Sequence, residues 1–144
     1  KEVALLAIKD YPKAYKFVSN RLRNDKEIVL EAVRNKGMLL NNVPKNIRKD
    51  KDVVIAAITN NGLALQFANK KLRSNADIVS MAVQQNCNAF SFAANKLKNN
   101  SEKILKIIEM SNTDTYLKIL YNNELLPDII ENNIDKYGKM TMEN

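Results

Sequence analysis

The chain has 144 residues, 45% apolar and 27% charged, with a formal net charge of +7, which allows one domain with a sizeable core in an ordinary globular composition. It holds one cysteine, Cys87, and no histidine, so an intrachain disulfide, Ser-His-Asp or Cys-His catalysis, and zinc sites built on His or on several thiolates are excluded. Three glycines are too few for a phosphate-cradling loop, neither dinucleotide nor P-loop glycine motifs occur, and no apolar run approaches the ~18 residues of a membrane span.

In chain order, the first pattern is KEVALLAI at residues 1–8, and it returns. KEIVLEAV at 26–33, KDVVIAAI at 51–58 and ADIVSMAV at 76–83 follow at intervals of 25 residues with no insertion. Within each, apolar residues such as Ile28, Val29, Ala32 and Val33 fall at i, i+1, i+4 and i+5, one face of a helix. A second apolar group follows in each unit: Ala14, Tyr15, Val18, Leu22; Leu39, Leu40, Val43, Ile47; Ala64, Leu65, Ala68, Leu72; Ala89, Phe90, Ala93, Leu97. Its spacing is read as a second helix.

Pro12, Gly37, Gly62 and Cys87 stand between the two groups as breakers, the glycines expected as left-handed caps past a helix end. Units restart at Asn24-Asp25, Lys49-Asp50, Ser74-Asn75 and Asn99-Asn100, where Asn24 with Glu27 and Ser74 with Asp77 resemble capping boxes. Each unit therefore reads as helix, tight turn, helix, tight turn. A single unit buries too little to offset the ordering of its backbone, so stacking must supply the rest. The expected fold is all-α: tandem helical-hairpin repeats stacked as a short α-solenoid with a C-terminal helical cap.

Residues 1–99 form the four repeats, and residues 100–144 a divergent fifth repeat with cap helices that keeps the helical signal and loses the register. A fifth first helix is expected at Ser101 to Met110, a partner from Asp114 to Tyr121, and a last helix from Pro127 to Tyr137, ended by Gly138. The charge divides with the same boundary. Residues 1–99 carry 18 basic and 8 acidic side chains, a balance of +10, and residues 100–144 carry 5 and 8, a balance of −3.

The stretches DKEIVLEAVRNKG and DKDVVIAAITNNGLALQFANKKLRS resemble the repeat family catalogued as domain of unknown function 4116, over residues 1–99 and scarcely over the tail. That resemblance implies tandem helical repeats within larger proteins and no reaction, cofactor or catalytic residue. Tyr11-Pro12 in the first unit and Val43-Pro44 in the second depart from the pattern, which leaves the turn geometry there open. Because the chain opens on Lys1 inside a repeat, it is expected to be part of a longer protein or a trimmed form.

Four columns carry possible chemistry. Arg23, Arg48, Arg73 and Lys98, with Arg21, Lys70, Lys71 and Lys96 nearby, form a basic ladder if units stack. Such a ladder either holds an acidic peptide, an anionic lipid surface or nucleic acid, or complements helix C-termini. Phe17, Phe67 and Phe92, with Asn42 in the second unit, are read as inter-repeat packing, with base stacking as the alternative. Glu2, Glu27, Asp52 and Asp77 are first-turn acids that favour their own helices, or oxygen ligands of a cation. Cys87 stands where two units have glycine and is read as a turn residue, lacking an activating base.

The function expected is a non-catalytic protein-interaction module with no cofactor and no metal, its partner another protein or peptide. The alternative is polyanion or nucleic-acid binding through the basic ladder. Without a signal peptide or span the default location is the cytoplasm, which a secreted effector acting in a host cytosol would match equally.

Overall fold

A computed structural model describes residues 1–111, Leu117 and Ile119; the other residues of the helix expected at 114–121, and all of the one expected at 127–137, lie outside the described residues. Five ten-residue helices, or nearly so, recur along the chain: α1 (Glu2–Asp10), α3 (Lys26–Asn35), α4 (Lys51–Asn60), α6 (Ala76–Gln85) and α8 (Ser101–Met110). After each of the first four comes a six-residue 3-10 helix: η1 (Pro12–Phe17), η2 (Gly37–Asn42), η3 (Gly62–Phe67) and η4 (Cys87–Phe92). One short turn of α-helix closes the unit, as α2 (Asn20–Arg23), α5 (Lys70–Arg73) and α7 (Asn95–Lys98), with hydrogen-bonded turns over 45–49 in the second unit. All regular structure among the described residues is helical.

The second member of each unit thus differs from the continuous α-helix expected. It is a 3-10 segment, an extended residue and a single helical turn. Residues at spacing three explain the choice, since i and i+3 eclipse in a 3-10 helix. Gly37, Leu40 and Val43 are all buried, as are Gly62, Leu65 and Ala68, so a period of three lines the edge that meets the core. The helix then breaks because Val18, Val43, Ala68 and Ala93 are all extended, with φ between −77° and −60° and ψ between 138° and 158°. Pro44 excludes helical backbone at Val43 by steric clash, and the other units share that geometry without proline. Pro12 likewise fits. The residues at Tyr11, Lys36, Asn61 and Asn86 are all extended, and Pro12 opens a helix, where its missing N–H is not needed.

The glycines serve a different purpose from the left-handed cap expected of them. A Cβ on Gly37 would lie 2.2 Å from the Ala57 carbonyl oxygen of the next unit, and one on Gly62 2.3 Å from that of Ala82. They permit neighbouring units to touch backbone to backbone. Of each pair at which a unit restarts, the second member is the cap: Asp25, Asp50 and Asn75 accept from the first-turn N–H groups at +2 and +3. Ser74 instead donates its hydroxyl to the Lys70 carbonyl, so neither proposed capping box forms.

Helices α1, α3, α4, α6 and α8 pack side by side in chain order, and η1 to η4 stack as a second layer against them. Between the layers lies one continuous core, with Ile8, Val29, Val33, Val54, Ile58, Val79, Val83, Ile104 and Ile108 contributed by successive helices and Tyr15, Leu40, Leu65 and Phe90 by the 3-10 segments. The fifth unit starts in step with the others. Asn100 caps α8, and Ser101 stands 25 residues after Ala76, so the register expected to lapse there continues through Met110.

Candidate functional site

The basic column comes together as four half-buried side chains, each bonded to carbonyls of its own repeat and Arg73 to one of the next as well. Arg48 donates from Nε to the Val43 carbonyl at 2.7 Å and from Nη2 to Asn41 at 2.9 Å. Arg73 donates from Nε to Ala68 at 3.1 Å and from Nη1 to Phe92 of the next unit at 3.3 Å. Arg23 donates from Nη2 to Lys16 at 2.6 Å, while its buried Nε has no hydrogen-bond partner. Lys98 reaches the Ser91 carbonyl at 2.7 Å.

Lys16, Asn41, Ser91 and Phe92 lie in the last turns of 3-10 helices and Val43 and Ala68 are the extended residues that follow, carbonyls that the helix itself leaves without a partner. The column's backbone also ties units together: the Arg48 carbonyl accepts from Asn69 N–H at 3.3 Å and that of Arg73 from Ala94 N–H at 2.9 Å. Buried Tyr15 donates its hydroxyl to the Arg23 carbonyl at 2.8 Å, and burial pushes its pKa up to about 12 against the opposing pull of Arg23 and Arg48. Arg21, Lys70, Lys71 and Lys96, by contrast, are exposed on the short helices.

Three members of the carboxylate column, Glu27, Asp52 and Asp77, are paired with lysines of neighbouring repeats. Lys1 meets Glu27 at 2.7 Å and Asp25 at 3.1 Å, and Lys26 repeats this with Asp52 at 2.9 Å and Asp50 at 3.1 Å. Glu27 and then Asp25 raise the pKa of Lys1, and Asp52 and then Asp50 raise that of Lys26. Lys1 holds Asp25 below the usual carboxylate range. At Asp50 burial pushes upward, and Lys26 with two backbone N–H groups overcomes it, so its pKa is also lowered. Asp77 takes Lys106 at 3.1 Å instead.

Two further columns divide. Phe67 and Phe92 are partly buried against the core, as packing residues should be, while Phe17 is 88% exposed. Cys87 is a half-buried free thiol at the head of η4.

A surface overlooked in the sequence lies on the outer side of the helical layer. Leu5, Leu30, Ile55 and Leu105 occupy the same position of four helices and are all partly buried, Leu5, Leu30 and Leu105 packed against the core and Ile55 apart from it, with buried Ser80 in the fourth unit. Between α3 and α4 this row opens into a groove of about 680 Å³ lined by Leu30, Arg34, Asp52, Ile55, Ala56, Thr59 and Asn60. Three of its polar groups are already engaged. Thr59 donates to the Ile55 carbonyl at 2.7 Å, Asn60 accepts from Gly37 N–H at 2.7 Å, and Asp52 holds Lys26. Arg34 is exposed and makes no hydrogen bond or ion pair among the described residues. The groove thus offers a floor of Leu30, Ile55 and Ala56 with one free cation on its rim. The signal in the sequence was the third apolar residue of each helix, Leu30 or Ile55, one place beyond the pair that fills the core.

The family described as "Domain of unknown function (DUF4116)" matches this sequence three times, at residues 1–48, 50–98 and 75–122. Each match spans about two repeats, and the last runs past α8, farther than the resemblance expected. No curated protein and no solved structure matches. No described helix is long and apolar enough to cross a membrane.

Proposed function

We propose that this chain, which belongs to the DUF4116 family, is a non-catalytic protein-interaction module that holds an apolar segment of a partner protein across its outer helical face. One observation carries the reading. The row Leu5, Leu30, Ile55 and Leu105 is only partly buried, where Val29, Val54, Val79 and Ile104 of the adjoining column are buried, and between α3 and α4 it opens into a groove beside the exposed Arg34. Neighbouring helices pack at about 8–10 Å, a spacing that apolar anchors of an extended or helical peptide can match. The free guanidinium favours a carboxylate beside those anchors, by bidentate hydrogen bonding. The test is selection of peptides from a random display library, followed by chemical-shift mapping of the binders. Apolar peptides with an acidic residue, shifting Leu30, Ile55 and Ala56, are the expected result; peptides that map to the short helices would refute it.

A second reading rests on a separate observation. Arg21, Lys45, Lys70, Lys71 and Lys96 are exposed on the short turns of four consecutive units, an edge that carries at least one cation in each of them. Polyanion binding there would weaken steeply between about 50 and 200 mM salt. Anisotropy of labelled oligonucleotides at both salt concentrations separates the two readings, since the groove predicts no such binding.

A further inference from the structure

At the inner seam between the second and third repeats the outer row opens, and the residues of α3 and α4 say why. Leu6, Glu31, Ala56, Met81 and Lys106 are equivalent in the five long helices, and the smallest of them, Ala56, stands in the groove. Beside it lie Leu30 and Ile55, and one turn further along lie Arg34 and Thr59. The two helices run parallel. Lys26 meets Asp52 at their N-terminal ends, and Asn60 donates to the Asn35 carbonyl at 3.5 Å at their C-terminal ends. Leu30 and Arg34 are four residues apart, so floor and cation are separated by about 6 Å along the helix direction.

These features select the occupant. The walls are helices whose backbone groups bond within themselves, and the side chains of Thr59 and Asn60 are committed to groups of the walls. An extended chain on the floor of Leu30, Ile55 and Ala56 finds no partner for the N–H and C=O groups it turns inward, and burying them unbonded is costly. A helix brings its own backbone partners.

The charges select its direction. Every acid of the two walls is engaged, Glu27 by Lys1, Glu31 by Asn35 and Asp52 by Lys26, so the walls leave Arg34 without a carboxylate. Parallel walls also bring two helix C-termini, each with partial negative charge, to the Arg34 end. A helix entering antiparallel sets its positive N-terminus there, and an acid in its first turn is favoured by that terminus and by the guanidinium alike.

We propose, on the reading of this groove as a peptide-binding site, that it receives an amphipathic α-helix of a partner protein, antiparallel to α3 and α4. A carboxylate in the first turn of that helix meets Arg34, and an apolar side chain four residues later seats on Leu30, Ile55 and Ala56.

The experiment takes the tightest groove-binding peptide from the display selection, attaches a nitroxide at its N-terminus and binds it to the isotope-labelled full chain. Broadened amides at Arg34, Asn35, Thr59 and Asn60, with helical contacts between successive peptide residues, are the expected result. Broadening at Lys26, Glu27 and Asp52 instead, or a peptide bound in extended form, would overturn this proposal and leave the groove as a peptide site. A charge exchange gives a second readout. Arg34→Glu should lose at least about tenfold in affinity for the acidic peptide, and a peptide with lysine in place of the acid should recover it. Loss without recovery would count against the pairing. Ala56→Met, which carries the methionine of α6 into α4, should weaken any groove peptide with the urea midpoint unchanged. Undiminished binding to that variant, or a selection that yields no peptide on the groove, would sink the reading of the groove and this proposal with it.

Discussion

Two rows run across the repeats, and their chemistry is the reverse of their appearance. The basic row of Arg23, Arg48, Arg73 and Lys98 looks like a ligand ladder, yet its charged groups close the ends of 3-10 helices within the molecule. The apolar row of Leu5, Leu30, Ile55 and Leu105 lies at the margin of the core, and it leaves part of its surface open on the outer face. A periodic charge is therefore no sign of a binding site until the carbonyls within its reach are counted. In a 3-10 segment that ends on an extended residue, the orphaned acceptors are close at hand and arginine reaches two at once.

The inner seam is where this contrast breaks most violently. Gly62→Val places side-chain atoms where the Ala82 carbonyl stands 2.3 Å from a Cβ, and backbone cannot yield as a flexible side chain would. A loss of roughly 3 kcal/mol or more is expected in urea unfolding. Next is the basic row itself. Arg73→Ala frees the Ala68 and Phe92 carbonyls, the second across a seam, for a loss of about 2 kcal/mol, with little change in oligonucleotide binding.

A smaller effect of opposite sign is expected in the outer row. Ser80 is fully buried and its hydroxyl has no hydrogen-bond partner, so Ser80→Ala should raise stability by about 1 kcal/mol, read as a higher urea midpoint.

The lysine clamps give the smallest effect, and its pH dependence has a definite sign. Asp25 and Asp50 have lowered pKa values, so their contribution is present above the unfolded carboxylate pKa and lost as pH falls through the folded values. Lys1 and Lys26 have raised values, so theirs is present below the unfolded lysine pKa and lost as pH rises through the folded ones. Lys26→Ala should flatten the acid limb of a stability–pH profile slightly, and high salt should erase the difference because these groups are solvent-exposed. Tyr15 adds a separate alkaline limb, losing stability from about pH 10, its ordinary value, to about 12; Tyr15→Phe removes it.

The repeat length, the first helix of each unit and its core pairs were legible because Ile28, Val29, Ala32 and Val33 follow a helical period without exception. The 3-10 segment was harder, because Leu39, Leu40 and Val43 satisfy an α-helical template as well as a period of three. Only the burial of Gly37 with Leu40 and Val43 separates the two, and glycine carries no hydrophobic signal. The two capping boxes were placed on Asn24 and Ser74 because both members of pairs such as Asn24-Asp25 can cap, and the helix start decides between them. The groove was invisible for a plainer reason: Ile55 lies one place beyond the helical face the pattern marks out, and only the neighbouring helix decides what borders it. The destination of the arginines was equally hidden, since no pattern records that Val43 and Asn41 leave free carbonyls.

The most direct test of the contrast between the two rows is the affinity of one groove-selected peptide for Arg48→Ala and Ile55→Gln, measured by anisotropy after both are shown to be folded. Ile55 is half-exposed and stands apart from the residues packed on the core, so its replacement should leave the fold intact. The account predicts a loss of at least about tenfold, roughly 1.4 kcal/mol, for Ile55→Gln and an affinity unchanged for Arg48→Ala. Full affinity in Ile55→Gln together with a steep loss in folded Arg48→Ala would contradict it, and would return the binding role to the basic row.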